Sequence, residues 1–194
     1  MGGGVRERTS VEVRRLTSDD AGALVAFFAT VPEGDRTFFK EDITQPGTVA
    51  GWVADPQHRN IALVDGLIVG YAAVLKGVAW SSHVGEIRIV VSPTHRGLGI
   101  GRLLAQRAVV EAKELGLVKL MVELVAGHDR LLAMFTGLGF VQEGRLRAHV
   151  RTASGDTRDL VVLAHFVDEL AAMILPADID ASDGPADPRG APSH

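Results

Sequence analysis

The sequence predicts an α/β protein: a central mixed sheet with helices packed on both of its faces. Three observations predict it. Runs rich in β-branched residues alternate with stretches of helical apolar spacing, in the order β, α, (α), β, β, β, α, β, α, β, β. Two of the β-rich runs, Asn60 to Val64 and Leu67 to Leu75, flank Asp65-Gly66, a two-residue hairpin turn. A third, Glu86 to Val91, passes through Ser92-Pro93 into Arg96-Gly97-Leu98-Gly99-Ile100-Gly101 and then into a helical pattern.

Taken in order, residues 1–10 are polar and glycine-rich and read as a disordered tail. Val11, Val13 and Leu16 mark a short first strand. Ser18-Asp19-Asp20 offers an N-cap for a helix from Ala21 to Thr30. Pro32-Glu33-Gly34-Asp35 reads as a break, Arg36 to Ile43 as a second short helix carrying Phe38 and Phe39, and Gln45-Pro46-Gly47 as its end. After the hairpin, Gly77 to His83 is a loop. Beyond the glycine segment, Ile100, Leu103, Leu104, Ala108 and Leu115 repeat at helical spacing, Arg102, Gln106 and Lys113 face away, and Gly116 is a stop. Leu117 to Val125 is strand-like. Asp129 is placed to cap a helix from Arg130 to Leu138 that ends at Gly139. Phe140 to Arg151 and Arg158 to His165 form a second hairpin around Ser154-Gly155-Asp156, and Phe166 to Leu175 is a closing helix. From Pro176 the composition turns to Asp and Pro without aromatics, with four Asp against Arg189, an acidic tail expected to be disordered. The expected organisation is thus a tail (1–10), one domain (11–175) and a second tail (176–194).

Composition narrows the class. The 194 residues are 46% hydrophobic and 23% charged, ordinary for a globular protein with its own core. A net charge of −4 argues against nucleic acid as a partner. The chain has no cysteine, so a disulfide scaffold, thiolate metal ligands and a cysteine nucleophile are excluded, and a cytoplasmic location fits. No apolar run approaches membrane-spanning length, so no membrane partner is expected. Met1 to Arg6 lack the apolar core of a signal peptide, and Arg6 stands where a myristoylation motif has Ser or Thr.

The glycine segment carries the chemistry. Glycines at alternate positions let the backbone curl tightly, and they sit where a helix begins, with its first amide N–H groups unpaired inside the helix. Such donors at the positive end of a helix dipole suit an anion such as a pyrophosphate. A P-loop needs Gly-Lys-Ser/Thr, but the run ends Gly101-Arg102-Leu103. A dinucleotide fingerprint from Gly97 needs its third glycine where Arg102 stands. The remaining pattern, Arg-x-x-Gly-x-Gly after a strand and a proline, resembles the pyrophosphate loop of the GNAT superfamily, the acyl-CoA-dependent N-acyltransferases. The order of elements across residues 11–165 resembles the GNAT fold as well. Asp129 to Phe140 (DRLLAMFTGLGF) resembles the family's fourth helix with its Gly-Phe ending.

The resemblance implies acetyl-CoA as cosubstrate, no metal, and an amine acceptor on a small molecule or a protein, with some likeness to bacterial protein-lysine acetyltransferases. It leaves room for a homodimer. The cofactor set it implies is Arg96, Gly97, Leu98, Gly99, Ile100, Gly101 and Arg102 for the pyrophosphate. Val90 and Val91 would pair with pantetheine where the strand splays from its neighbour, as an added strand does. Asp129 and Phe135 stand where the family often has an asparagine and a tyrosine. Phe135 has no proton to give the departing thiolate. Glu86, ten residues before Arg96, is the candidate general base; it also reads as a salt-bridge partner of Arg88 on the same strand face. His83 is a second, weaker candidate, and Tyr71 reads as core. Glu33, Asp35, Glu41 and Asp42 form an acidic group able to attract a cationic amine or simply to face solvent. Phe38 and Phe39 are an apolar lid or core. The function expected is N-acetyl transfer to a primary amine. The alternative is a non-catalytic acyl-CoA-binding sensor or interaction module, which Asp129 and Phe135 favour.

Overall fold

A computed structural model describes residues 10–174, apart from 37, 38, 44, 55, 57 and 153. The two expected tails lie outside the described residues, save for Ser10. The elements are β1 (Val11–Arg15), α1 (Ala21–Thr30), α2 (Glu33–Arg36), α3 (Pro46–Ala54), β2 (Arg59–Val64), β3 (Leu67–Lys76) and β4 (Val84–Val91). They continue with α4 (Ile100–Glu114), β5 (Lys119–Val125), α5 (Asp129–Thr136), β6 (Val141–Arg151), β7 (Thr157–Phe166) and α6 (Val167–Ile174). The strands form one seven-stranded sheet in the order β1-β2-β3-β4-β5-β7-β6. Every neighbouring pair is antiparallel except β4 and β5, which α4 joins by a crossover. No helix among the described residues is long and apolar enough to cross a membrane.

Strand alternation sends side chains to two cores. On one face Ile87 and Ile89 of β4 pack with Ile100, Leu104 and Ala108 of α4 and with Leu170 of α6. On the other, Tyr71 and Val90 pack with Phe28 of α1 and with Val49 and Trp52 of α3. Tyr71 is core, as expected: its ring stacks on Trp52 at 5.4 Å, and burial pushes its phenol well above the usual range. Phe39 is core too, 5.5 Å from Phe28, while Phe38 lies outside the described residues.

Two elements depart from the sequence reading. α1 ends at Thr30 as expected, but the residues read as its break are themselves mostly helical: α2 begins just after Pro32, and the N–H of Asp35 bonds the Pro32 carbonyl at 2.9 Å. Of the helix expected over Arg36 to Ile43, only Arg36 is helical among the described residues. Phe39 and Ile43 reach the core from irregular chain. Pro46 likewise opens a helix rather than closing one, because the first helical position needs no N–H donor. The buried residues of α3, Val49, Trp52 and Val53, keep the helical spacing i, i+3, i+4. In α4 the buried stripe runs through Leu104, Ala105, Ala108, Val109 and Ala112, which leaves Leu103 at its flank, 40% exposed.

The register of α4 is fixed from both sides. Gly70 of β3 lets it lie close, since a Cβ there would stand 2.9 Å from Leu104 Cδ1 and 3.2 Å from Ile100 Cγ2. At its far end the fully buried Glu111 carboxylate accepts from Arg15 Nε at 2.9 Å and from Arg107 Nη2 at 3.0 Å, with His58 Nδ1 at 3.3 Å. Burial pushes that carboxyl up, but the hydrogen bonds from Arg15 and His58 outweigh it and hold it below its ordinary value.

Candidate active site

The sheet forks. β4 and β5 pair only through Val84↔Lys119, Gly85↔Leu120 and Glu86↔Met121. Beyond that point β4 continues beside β3 as far as Gly70↔Val91, and β5 beside β7 as far as Val125↔Leu160. The two strands therefore part just after Glu86. The N–H of Ser92 donates to the Val69 carbonyl at 2.8 Å. Antiparallel alternation from that bond turns the peptide groups of Val90 toward β3 and those of Ile89 and Val91 into the gap. The sequence expectation of Val90 and Val91 is corrected accordingly: Ile89, not Val90, shares the free strand edge with Val91.

The glycine segment closes the open end of this fork. After a 3-10 turn over Pro93–His95 the chain takes left-handed backbone at Gly97 (φ 81°) and Gly99 (φ 80°), a region that favours glycine. Gly99 is the N-cap position of α4. The first helical bond runs from the Leu103 N–H to the Gly99 carbonyl at 3.1 Å, so the amides of Ile100, Gly101 and Arg102 have no acceptor within the helix. A cleft of about 840 Å³ lies between this loop, the free edge of β4 and the start of α5. Of the expected cofactor set, Val90, Val91, Arg96, Gly97, Gly99, Ile100, Gly101, Arg102 and Asp129 line it. Leu98 is not among the lining residues and is 53% exposed. Arg96 is held by an ion pair with Asp35 of α2, and its Nε donates to the Val91 carbonyl at 3.3 Å. That carbonyl thus serves a partner outside the sheet.

Two expected residues sit differently. Phe135 is 1% exposed and packs edge-on against Phe140 at 5.1 Å, in the core and not in the cleft wall. The wall of α5 is made instead by Arg130, Leu131 and Met134, a face the sequence reading missed although i, i+1, i+4 spacing marks it. Met134 closes on the loop, its Sδ 3.0 Å from where a Cβ on Gly101 would stand. Asp129 opens α5 but does not cap it: His128 is the N-cap residue, without a side-chain cap bond. The helix ends at Thr136, and the turn to Gly139 (φ 98°) returns the Phe140 N–H to the Phe135 carbonyl at 3.0 Å.

Glu86 stands at the fork on the face of Arg88, as alternation predicts. Both of its oxygens are engaged: Oε2 accepts from Lys40 Nζ at 2.9 Å and Oε1 from Arg88 Nε at 3.1 Å. Lys40 Nζ also lies 3.1 Å from Glu123 Oε2 on β5. Burial lowers the Lys40 ammonium, but the bonds to Glu86 and Glu123 prevail and raise it above the ordinary lysine value. The expected acidic group does not assemble as one patch. Asp35 pairs with Arg96 and Glu41 with Arg88, Asp42 accepts from Gln45 at 3.1 Å, and Glu33 lines a second cavity of about 430 Å³ beside Arg158. His83 is exposed in the turn before β4 and does not line the cleft.

A sheet forked beside a glycine loop, with a cleft between them, defines an α/β fold with an anion-binding turn at its open end. The chain belongs to the acetyltransferase (GNAT) family, whose model matches residues 20–140. It is similar to streptothricin acetyltransferase of Streptomyces lavendulae, 36% identical over 104 residues, which cover 53% of this chain and 54% of that protein. The match thus spans about half the length of that relative. Among solved structures it superposes on an N-acetyltransferase from Staphylococcus aureus Mu50 with a TM-score of 0.71 at 20% identity, covering 81% of this chain and 99% of the other. A GNAT superfamily phosphinothricin acetyltransferase from Sinorhizobium meliloti in complex with AcCoA gives 0.71 at 21% identity, covering 80% and 88%. At these identities the structural likeness speaks for the fold.

Proposed function

We propose that the domain over residues 11–175 is an N-acetyltransferase moving the acetyl group of acetyl-CoA to a primary amine of a small molecule or protein. The observation that carries this reading is the unpaired edge of β4 meeting the glycine loop in one cleft. A coenzyme with a diphosphate at one end and an amide-bearing arm needs such a pair of features: clustered N–H donors for the anion, and main-chain partners for the arm. The amides of Gly97 to Arg102 hold the diphosphate, and Arg102 adds charge. Arg96 leaves Asp35 and the Val91 carbonyl to do the same. Ile89 and Val91 pair with the arm as a neighbouring strand would. The bound thioester supplies an activated acetyl carbonyl, which an N–H on the gap side of β4 polarises. Glu86 takes the ammonium proton of the acceptor after exchanging Lys40 for it. Phe135 gives no proton, so the thiolate leaves unassisted or takes one from water.

A second reading, a non-catalytic acyl-CoA-binding module, is favoured by Phe135 and by the engagement of both Glu86 oxygens. Thiol release from acetyl-CoA, measured over a panel of primary amines that includes amino acids, polyamines and lysine peptides, separates the two. Turnover on at least one class is expected. Saturable acetyl-CoA binding with no turnover on any amine would replace the enzyme with the sensor.

A further inference from the structure

Lys40 is one of four lysines in the chain, with Lys76, Lys113 and Lys119, and its position is singular. Its ammonium bridges Glu86, the last residue of β4 to pair with β5, and Glu123, two residues past the last residue of β5 to pair with β4. It therefore straddles the point where the sheet opens. Met121 and Glu123 lie on the face of β5 opposite Leu120, Val122 and Leu124, which pack in the α4 core. So the cleft approaches the fork from the loop end, and Lys40 reaches it from the α3 face. The cleft extends along β4 to Ile89, three residues from Glu86 and so about 10 Å short of it at strand rise. An arm laid in the gap from the glycine loop points its thioester end at the fork, where Lys40 Nζ stands. No other lysine is so placed: Lys119 pairs with Glu143 at 2.7 Å, Lys76 ends β3, and Lys113 lies in the last turn of α4.

We propose that Lys40 is itself an acetyl acceptor, modified in cis by the thioester held in the cleft. The inference rests on the acetyl-CoA reading above. In the step, Glu86 accepts one proton from the Lys40 ammonium, and the freed lone pair on Nζ attacks the thioester carbonyl carbon. The new N–C amide bond forms as the C–S bond breaks, and Nζ, positively charged in the tetrahedral adduct, gives up its second proton to solvent. The sulfur leaves with the bond pair as CoA thiolate and is protonated by solvent, and Glu86 returns its proton to water. No oxidant or metal enters the balance. The acetylated side chain is neutral. It no longer binds the two carboxylates, which leaves Glu86 and Glu123 open to the ammonium of an external acceptor.

The test is incubation of the purified full chain with acetyl-CoA, followed by intact mass and peptide mapping, with the thermal shift by acetyl-CoA recorded on the same sample. One acetyl group per chain is expected at Lys40, with Lys76, Lys113 and Lys119 unlabelled over the same interval. The rate per chain should not depend on protein concentration. Glu86→Gln should slow the labelling at least tenfold, and Lys40→Arg should abolish it. If acetyl-CoA shifts the melting temperature and Lys40 stays unlabelled, the proposal fails and the coenzyme site stands. Equal labelling of all four lysines would mean indiscriminate chemical acetylation, and a rate that climbs with protein concentration would mean transfer between molecules. Either overturns it. Absence of any thermal shift, with no labelling, removes the coenzyme site along with it.

Discussion

At the scale of single residues, charge pairing decides behaviour. If Glu86 takes the acceptor's proton, Glu86→Gln lowers turnover about a hundredfold at neutral pH. The ratio to wild type should narrow by pH 9, where more of the acceptor amine is already free. Initial rates of thiol release at the two pH values check this, and a flat ratio would reduce Glu86 to a structural ion pair. Asp20 shows the same physics without chemistry. Its carboxylate accepts from Arg14 Nη1 and Nη2, both at 2.7 Å, and from the Thr17 N–H at 2.8 Å, and these bonds hold it far below the usual carboxylate range despite burial. A carboxyl lowered on folding contributes stability that is complete above its unfolded value, about 3.9, and drains away as pH falls through the folded one. Asp20→Asn should therefore cost about 2 kcal/mol at pH 7. Urea midpoints should converge with wild type toward pH 2.

At the scale of elements, β4 does two jobs with one backbone. Its bonds to β3 hold the sheet, and its other edge faces the gap. Amide hydrogen exchange should separate them: in the free protein Val90 is protected while Ile89 and Val91 exchange faster, and acetyl-CoA should slow Ile89 and Val91 by about tenfold or more with little change at Val90. Equal protection of all three amides without ligand would mean that the strands do not part. The glycine loop is the second element under test. Gly99 combines φ 80° with the N-cap position of α4. Gly99→Glu puts a side chain on strained backbone and a negative charge where an anion should sit. Acetyl-CoA affinity should fall at least a hundredfold, as read by isothermal calorimetry, while the fold persists, because a Cβ there meets no neighbour within 4 Å.

At the scale of the whole molecule, the coenzyme should act as a tie between the two halves of the sheet, and at a hundred times its Kd it should add about 2.7 kcal/mol to stability. A melting curve with and without acetyl-CoA measures that gain. What was legible in the sequence follows from the same division of labour. Gly97 and Gly99 could be read because left-handed backbone restricts residue type, and the Asp65-Gly66 turn for the same reason. Pro46 misled because proline both ends and begins helices, and only the burial of Val49, Trp52 and Val53 decides which. The contact of Lys40 with Glu86, 46 residues apart in the chain, leaves no local trace. Nor does the end of pairing after Met121, since strand propensity on either side of it is unchanged. The fork has an evolutionary corollary. Where a ligand is read through peptide groups, as proposed along Ile89 and Val91, drift in the side chains there need not disturb that reading. Such a lineage is free to trade one acceptor for another around α2 and α3 while its grip on the coenzyme passes down unaltered.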